Sequence, residues 1–366
     1  MTGTYKRWIA GILILFLCLG GLEVGMCLLE APRPWEPDRS VGWKTAAGVR
    51  QHYELLTQGG SPYRVEYVTD SQGARRYDTG AGETLSVLAL GDSFTMDVFW
   101  GDEESWYGTV ARGLAERYQR RVTVTAVGAP GYGTLQELLA AAPMVEQRPF
   151  DLLILQTCVN DFVDNTMPWS AAAKSRDAYY RRPYALAADP TKMTWVDGVV
   201  AWWYRGPAAQ SRLWRKLDHA ARSVEIRWAL RGVAQTDHQR IRLEQMMPER
   251  PDFYEDAKAI TTALVGQIRA MMPDQPAFLF TCWEDGSLPL NKMWPDIARD
   301  AGFVYVPRVP ETVNAAGRSG EDVYAGDGVH WSPRGQTIAG QVILNRITDV
   351  LSETGLPRHG ARSVPR

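Results

Sequence analysis

The sequence predicts an α/β fold: a three-layer, doubly wound sandwich of flavodoxin-like type with about five parallel strands, a mostly helical insertion and an N-terminal anchor helix. Three observations carry that prediction. Short apolar runs of strand length alternate with longer stretches of helical periodicity. The run Leu85–Leu90 is mostly apolar, as a parallel strand buried on both faces is. The motifs that could carry chemistry fall at the carboxyl ends of these runs, where sites form in open α/β sheets.

Taken in order, the chain begins with Lys6-Arg7 and the apolar block Trp8 to Leu22. Glu23 interrupts it, and Val24 to Leu29 completes a span close to the roughly 20 residues that cross a bilayer. No small-x-small cleavage site follows, so residues 1–30 are expected to be an uncleaved signal-anchor rather than a cleaved signal peptide. Basic residues flank both ends, so charge does not set orientation. The long domain that follows is expected outside the cytoplasm, because long domains translocate largely regardless of charge.

Residues 31–83 read as a spacer and N-terminal extension, proline-rich at 31–37, with Tyr63 to Val68 alternating like an edge strand. The main domain spans 84–355. Strands are expected at Leu85–Leu90, Val122–Val127, Asp151–Thr157, Ala277–Cys282 and Phe303–Pro307. Helices are expected at Glu104–Tyr118, Thr134–Glu146, Phe253–Met272, Asn291–Ala301 and from Ser332 or Pro333 to Ser352. The alternation stops at Asp161, and an insertion at 162–250 rich in Trp, Tyr and Arg takes its place. Within it, Leu213, Leu217, Ala221, Val224 and Trp228 form an apolar helical stripe beside a cationic face of Arg212, Arg215, Lys216, Arg222, Arg227 and Arg231. That face reads as a solvated surface or as a contact for anionic headgroups or an acidic glycan. Residues 356–366 are a basic, loose tail.

Composition excludes several classes. A hydrophobic content of 45% and a charged content of 22% are those of a globular protein. A net charge of −2 gives no basis for nucleic-acid binding. The 4 cysteines form no Cys-x-x-Cys pair, and no two of the 5 histidines share metal-site spacing. No metal or cofactor is predicted. Cys158 and Cys282 end strands that should be neighbours; bonding across adjacent parallel strands is awkward, so they are expected as two buried thiols.

The chemistry is concentrated at the strand ends. Gly91-Asp92-Ser93-Phe94-Thr95 delivers a serine on a tight turn, and Asp327-Gly328-Val329-His330 follows late in the chain. A serine hydroxyl needs a base, an imidazole can serve, and a carboxylate fixes its tautomer. His330 is therefore the candidate base for Ser93, and Asp327 its orienting partner. Gly128-Ala129-Pro130-Gly131-Tyr132-Gly133 can aim a backbone N–H at an oxyanion, and Asn160 can add a side-chain amide. Asp161 reads as a support for its loop.

This set resembles the SGNH, or GDSL-type, hydrolase family. Gly91-Asp92-Ser93-Phe94 matches its first block, Gly131 the second, Asn160 the third and Asp327-x-x-His330 the last. The resemblance spans roughly residues 84–161 and 251–350. It implies an ester hydrolase or acyl transferase, with an oxyanion hole from the N–H groups of Ser93 and Gly131 and the Asn160 amide. Phe94 stands in place of the usual leucine, Cys158 takes the glycine position of the third block, Ala126 stands where an asparagine often precedes the second, and the insertion is far longer than in minimal members.

The expected activity is a serine esterase removing acyl groups, acetyl first among them, from an extracytoplasmic glycan or another small ester. An O-acyltransferase with the same residues, or a non-catalytic assembly or binding module, are the rivals. Most of the 14 tryptophans are expected to pack. Trp331, Trp169 and Trp202 are the candidate substrate contacts, with Trp195 and Trp203 as further stacking candidates.

Overall fold

The computed structural model describes residues 2–29, 34–38, 40–165, 182–185, 193–195, 211, 213–214, 251–283 and 292–356. Trp169, Trp202 and Trp203, most of the insertion and the tail beyond 356 lie outside them.

Helix α1 (Thr2–Leu29) contains a 20-residue stretch, Arg7–Met26, long and apolar enough to cross a membrane. Glu23 is not a bare charge on it: its carboxylate accepts from Ser211 Oγ and from the Leu213 N–H, both at 2.8 Å. The spacer read as extended is built. Strands β1 (Trp35–Asp38) and β2 (Gly42–Thr45) pair antiparallel, as do β3 (Arg50–Leu56) and β4 (Pro62–Val68). The expected edge strand at 63–68 is thus half of a separate hairpin. The true edge of the main sheet is β5 (Arg75–Asp78), which the sequence hid in a polar stretch.

The main sheet has six strands. In chain order they are β5, β6 (Thr84–Gly91), β7 (Arg121–Gly128), β8 (Leu152–Thr157), then, after the short pair β9 (Pro183–Ala185) and β10 (Met193–Trp195), β11 (Ala277–Thr281) and β12 (Val304–Tyr305). Their spatial order is β12-β11-β8-β6-β7-β5. Only β5 runs antiparallel to its neighbour. Among the five parallel strands the order is that of a flavodoxin-like sheet, and direction reverses between β6 and β8. Ser93 follows β6 and therefore sits at that switch point.

Alternate residues face opposite layers. Leu88, Leu90, Leu153, Leu155 and Leu279 pack against α3 (Thr134–Gln147), α5 (Pro251–Ala270) and α6 (Trp294–Asp300). Val87, Ala89, Ile154 and Phe280 pack against α2 (Trp106–Tyr118), α7 (Val309–Arg318) and α8 (Pro333–Thr354). A short α4 (Asn160–Asp164) follows β8. Each fully buried Leu or Ile contributes about 1.5–3 kcal/mol. Ser105 and Ser332 cap α2 and α8, accepting from the N–H groups of Gly108 and Gly335. Helix α7 occupies what the sequence presented as loop; its Pro310 stands in the first turn, where proline costs no helical hydrogen bond.

Cys158 and Cys282 are joined in a disulfide, with Cα atoms 5.4 Å apart. This corrects the expectation of two thiols. Both lie one residue beyond the last register pair, Thr157 with Thr281, and their Cα separation is within the range a disulfide spans.

Candidate active site

The turn that carries Ser93 is built by Asp92. Its N–H donates to Gln156 Oε1 at 3.0 Å, its Oδ1 accepts from the Phe94 N–H at 2.9 Å, and its C=O accepts from the N–H groups of Thr95 and Met96. Such an Asx turn is the local structure that Asp favours after a strand. It leaves Ser93 half-buried and facing the carboxyl end of the sheet.

Ser93 and His330, 237 positions apart, meet: Ser93 Oγ lies 2.8 Å from His330 Nε2. On the other side of the ring, His330 Nδ1 lies 2.5 Å from Asp327 Oδ2. An ionised carboxylate only accepts, so Nδ1 carries the proton and Nε2 is left to accept from the serine hydroxyl. Asp327 Oδ1 accepts from the N–H groups of Val329 and His330, each at 3.0 Å. The Gly328 φ of 70° between them turns the loop tightly enough for this. The imidazole also packs against two aromatic rings. Phe99 stacks on it at 5.0 Å, and Phe94 lies tilted at the same distance.

Electrostatics follow from these contacts. Burial would lift the Asp327 carboxyl, but the bonds from His330 and the backbone of Val329 hold it down at about 2. Burial pulls His330 down; the Asp327 bond and the charges of Asp97, Asp327 and Asp92 outweigh it, so the imidazole titrates above its ordinary value. Asp97 is buried and pushed up to about 6, with His330 opposing the rise. Neither Asp97 nor Phe99 was read from the sequence; nothing in the pattern of residues 96–100 distinguishes a wall of the site from a loop.

The loop after β7 carries the second feature. Gly128 lets two strand ends approach, since a Cβ there would lie 1.8 Å from the Gly91 carbonyl oxygen. Gly131 has φ 74°. Among the described residues, no acceptor takes the N–H of Ser93 or of Gly131. Asn160 is arranged differently from its expected role. Its Nδ2 donates to Asp164 Oδ2 at 2.9 Å and to the Tyr132 C=O at 3.3 Å, so an oxyanion could take a hydrogen only by displacing one of these. Asp161 does brace its loop, accepting from Thr134 Oγ1 at 2.8 Å and from the Cys158 N–H at 2.6 Å.

Trp331, expected to touch substrate, is 1% exposed and packs edge-on against Phe94. It is too deep to offer a face to a ligand and instead backs the ring beside His330. Asp92, Cys158 and Cys282 bring possible metal-ligand atoms within 4.8 Å of one another, but the two sulfurs are spent in the disulfide.

The GDSL-like lipase/acylhydrolase family matches residues 89–338, a span that holds Ser93, Gly131, Asn160, Asp327 and His330. The chain belongs to that family. As a GDSL-type acylhydrolase it is an enzyme acting on ester bonds. No curated protein matches the sequence. Solved structures with a similar chain path include TesA, with 13% identity and a TM-score of 0.41, covering 73% of this chain and 99% of that one. The acetylxylan esterase Axe2 from Geobacillus stearothermophilus has 14% identity and a TM-score of 0.38, covering 73% and 95%. The psychrotrophic esterase EstA from Pseudoalteromonas sp. has 13% identity and a TM-score of 0.39, covering 73% and 98%.

Proposed function

We propose that this GDSL-type hydrolase is a membrane-anchored serine esterase in which Ser93 is the nucleophile, His330 the general base and Asp327 its orienting carboxylate. The observation that carries the reading is the continuous bonded chain from Ser93 Oγ through the imidazole to the Asp327 carboxylate. Ser93 attacks the ester carbonyl as its proton passes to His330 Nε2. The alkoxide-like oxygen of the tetrahedral intermediate is received by the N–H groups of Ser93 and Gly131, whose hydrogens are unclaimed among the described residues. Asn160 joins them by exchanging its long bond to Tyr132. His330 then protonates the leaving alcohol, and water, activated by the same nitrogen, releases the acid.

The finer reading is an acetyl ester on an extracytoplasmic glycan. It is supported by the apolar helix α1, which would hold the catalytic body at a membrane surface facing envelope polysaccharide. The test is hydrolysis of a chromogenic acetate and of a panel of acetylated glycans by native and Ser93→Ala protein, with phosphonate labelling of the serine. Loss of label and activity together is expected. A Ser93→Ala protein with native rates would remove the assignment.

A further inference from the structure

The turn that carries Gly131 is bonded by a residue from outside the matched family span. Ala129 to Tyr132 form a four-residue turn closed by the bond from the Tyr132 N–H to the Ala129 C=O at 3.1 Å. Proline at its second position and Gly131 with φ 74° at its third are the type II pattern. The peptide between the two central residues is the unit whose orientation distinguishes type II from type I. In a trans peptide the C=O and N–H point in opposite directions. The Pro130 C=O and the Gly131 N–H belong to this one peptide. Fixing the carbonyl on one side therefore fixes the direction of the N–H on the other.

Something does fix it. The indole Nε1–H of Trp43 in β2 donates to the Pro130 C=O at 3.0 Å. Trp43 is itself held from three sides. Its C=O accepts from Tyr132 Oη at 2.6 Å, its ring meets the edge of Tyr132 at 5.9 Å, and the Arg182 guanidinium lies over it at 5.0 Å. Two residues on, Thr45 Oγ1 donates to the Gly128 C=O at 2.8 Å. The loop is thus gripped at Gly128 and Pro130 from one side, and the Gly131 N–H is left free of acceptors among the described residues.

We propose that Trp43 is a positioning residue of the oxyanion hole: by holding the Pro130 carbonyl it keeps the Pro130–Gly131 peptide in the orientation that aims the Gly131 N–H at the reacting oxygen. This rests on the serine esterase reading above. It gives residues 42–45 a part in the chemistry.

The decisive variant is Trp43→Phe, which keeps an aromatic ring in place and removes the donor. With a short chromogenic ester, kcat is expected to fall about 10- to 100-fold, towards the loss seen when one oxyanion donor is removed. KM should stay within about twofold. Affinity for a boronic acid that mimics the tetrahedral intermediate should fall by the same factor as kcat/KM, while the acid limb of the pH–rate profile stays where it is, since Trp43 does not touch His330. Tyr132→Phe releases the Trp43 backbone but leaves the indole bond, and should lose much less. Should Trp43→Phe fail to fold, Gly131→Ala tests the donor with Trp43 intact, because alanine resists φ 74° and favours the flipped peptide; native kcat there would leave no working donor for Trp43 to position and would overturn the proposal. A Trp43→Phe enzyme with native kcat, or one whose kcat falls without weaker boronate binding, overturns the proposal. So does an equal loss in Tyr132→Phe, which would mean general loosening. A native chain without esterase activity would take down the underlying reading and this one with it.

Discussion

Replacing Asp327 by asparagine tests the electrostatic core of the site most directly. The carboxyl is held at about 2 against an ordinary 3.8, chiefly by bonds that offset its burial. At about 1.4 kcal/mol per pH unit this is on the order of 2 kcal/mol of preference for the charged form, shared among the imidazole and two backbone N–H groups. The side chain is 34% exposed, so solvent screening cuts the share due to His330 to about 1 kcal/mol. By linkage His330 loses the same amount of support for its proton. The acid limb of kcat/KM, expected above pH 6.5 in the native enzyme because the imidazole is raised, should therefore move down by somewhat under one pH unit. The rate should fall much further, by roughly 10³–10⁴, because the asparagine amide can donate to Nδ1 and leave the proton on Nε2, where it blocks transfer from Ser93. A pH–rate profile from 5 to 9 on both proteins reads both effects. A variant keeping more than a tenth of native activity, with its acid limb unmoved, would refute the claim that Asp327 sets the tautomer.

Two further outcomes follow from the same geometry. Asp97→Asn removes a buried carboxylate that supports the His330 proton, so the acid limb should shift to lower pH with the plateau rate largely kept; an unmoved limb would mean the two groups do not communicate. Removing the Cys158–Cys282 bond, which closes a separation of 124 residues, should cost about 2–5 kcal/mol in a denaturant titration with and without reductant, and equal midpoints would count against the bond.

What the sequence disclosed depended on whether a local pattern carried the information. The five parallel strands were legible because most of their residues are apolar, as strands buried on both faces tend to be. The turns that hold Ser93, Asp327 and His330 were legible because strand ends and tight turns demand particular residue types. Strand β5 was not, since an antiparallel edge strand of Arg75, Arg76, Tyr77 and Asp78 has no apolar run to betray it. Its Arg75 is nevertheless fully buried, and a buried guanidinium is invisible to any reading of polarity. Trp331 was misread for a related reason: proximity to His330 in sequence suggested the cleft, whereas the residue after a loop histidine turns inward to pack on Phe94. Asn160 lies beside the second loop, and sequence cannot say which acceptors its hydrogens already have.

The residues before the matched span reach three of the loops around the proposed site. The β1–β2 hairpin grips the 128–133 loop through Trp43 and Thr45. The tip of the β3–β4 hairpin grips the Asp327–His330 loop: the N–H groups of Gln58 and Gly59 donate to the Tyr324 C=O at 2.9 Å and to Asp322 Oδ1 at 3.0 Å. Arg75 in β5 grips the loop after Ser93, with bonds of 3.0 and 2.9 Å to the carbonyls of Asp97 and Trp100 and of 2.6 Å to the Asp102 carboxylate. That loop presents Phe99 to His330. Loops at the end of a parallel sheet have few ladder bonds of their own, and a catalytic site needs them held to a fraction of an ångström. Here the restraint comes from three short pieces of β structure that a core doubly wound sheet does not contain. The segment that joins the apolar helix to the sheet is therefore also the frame of the site, which is why its polar, turn-rich sequence reads as a spacer and folds as a wall.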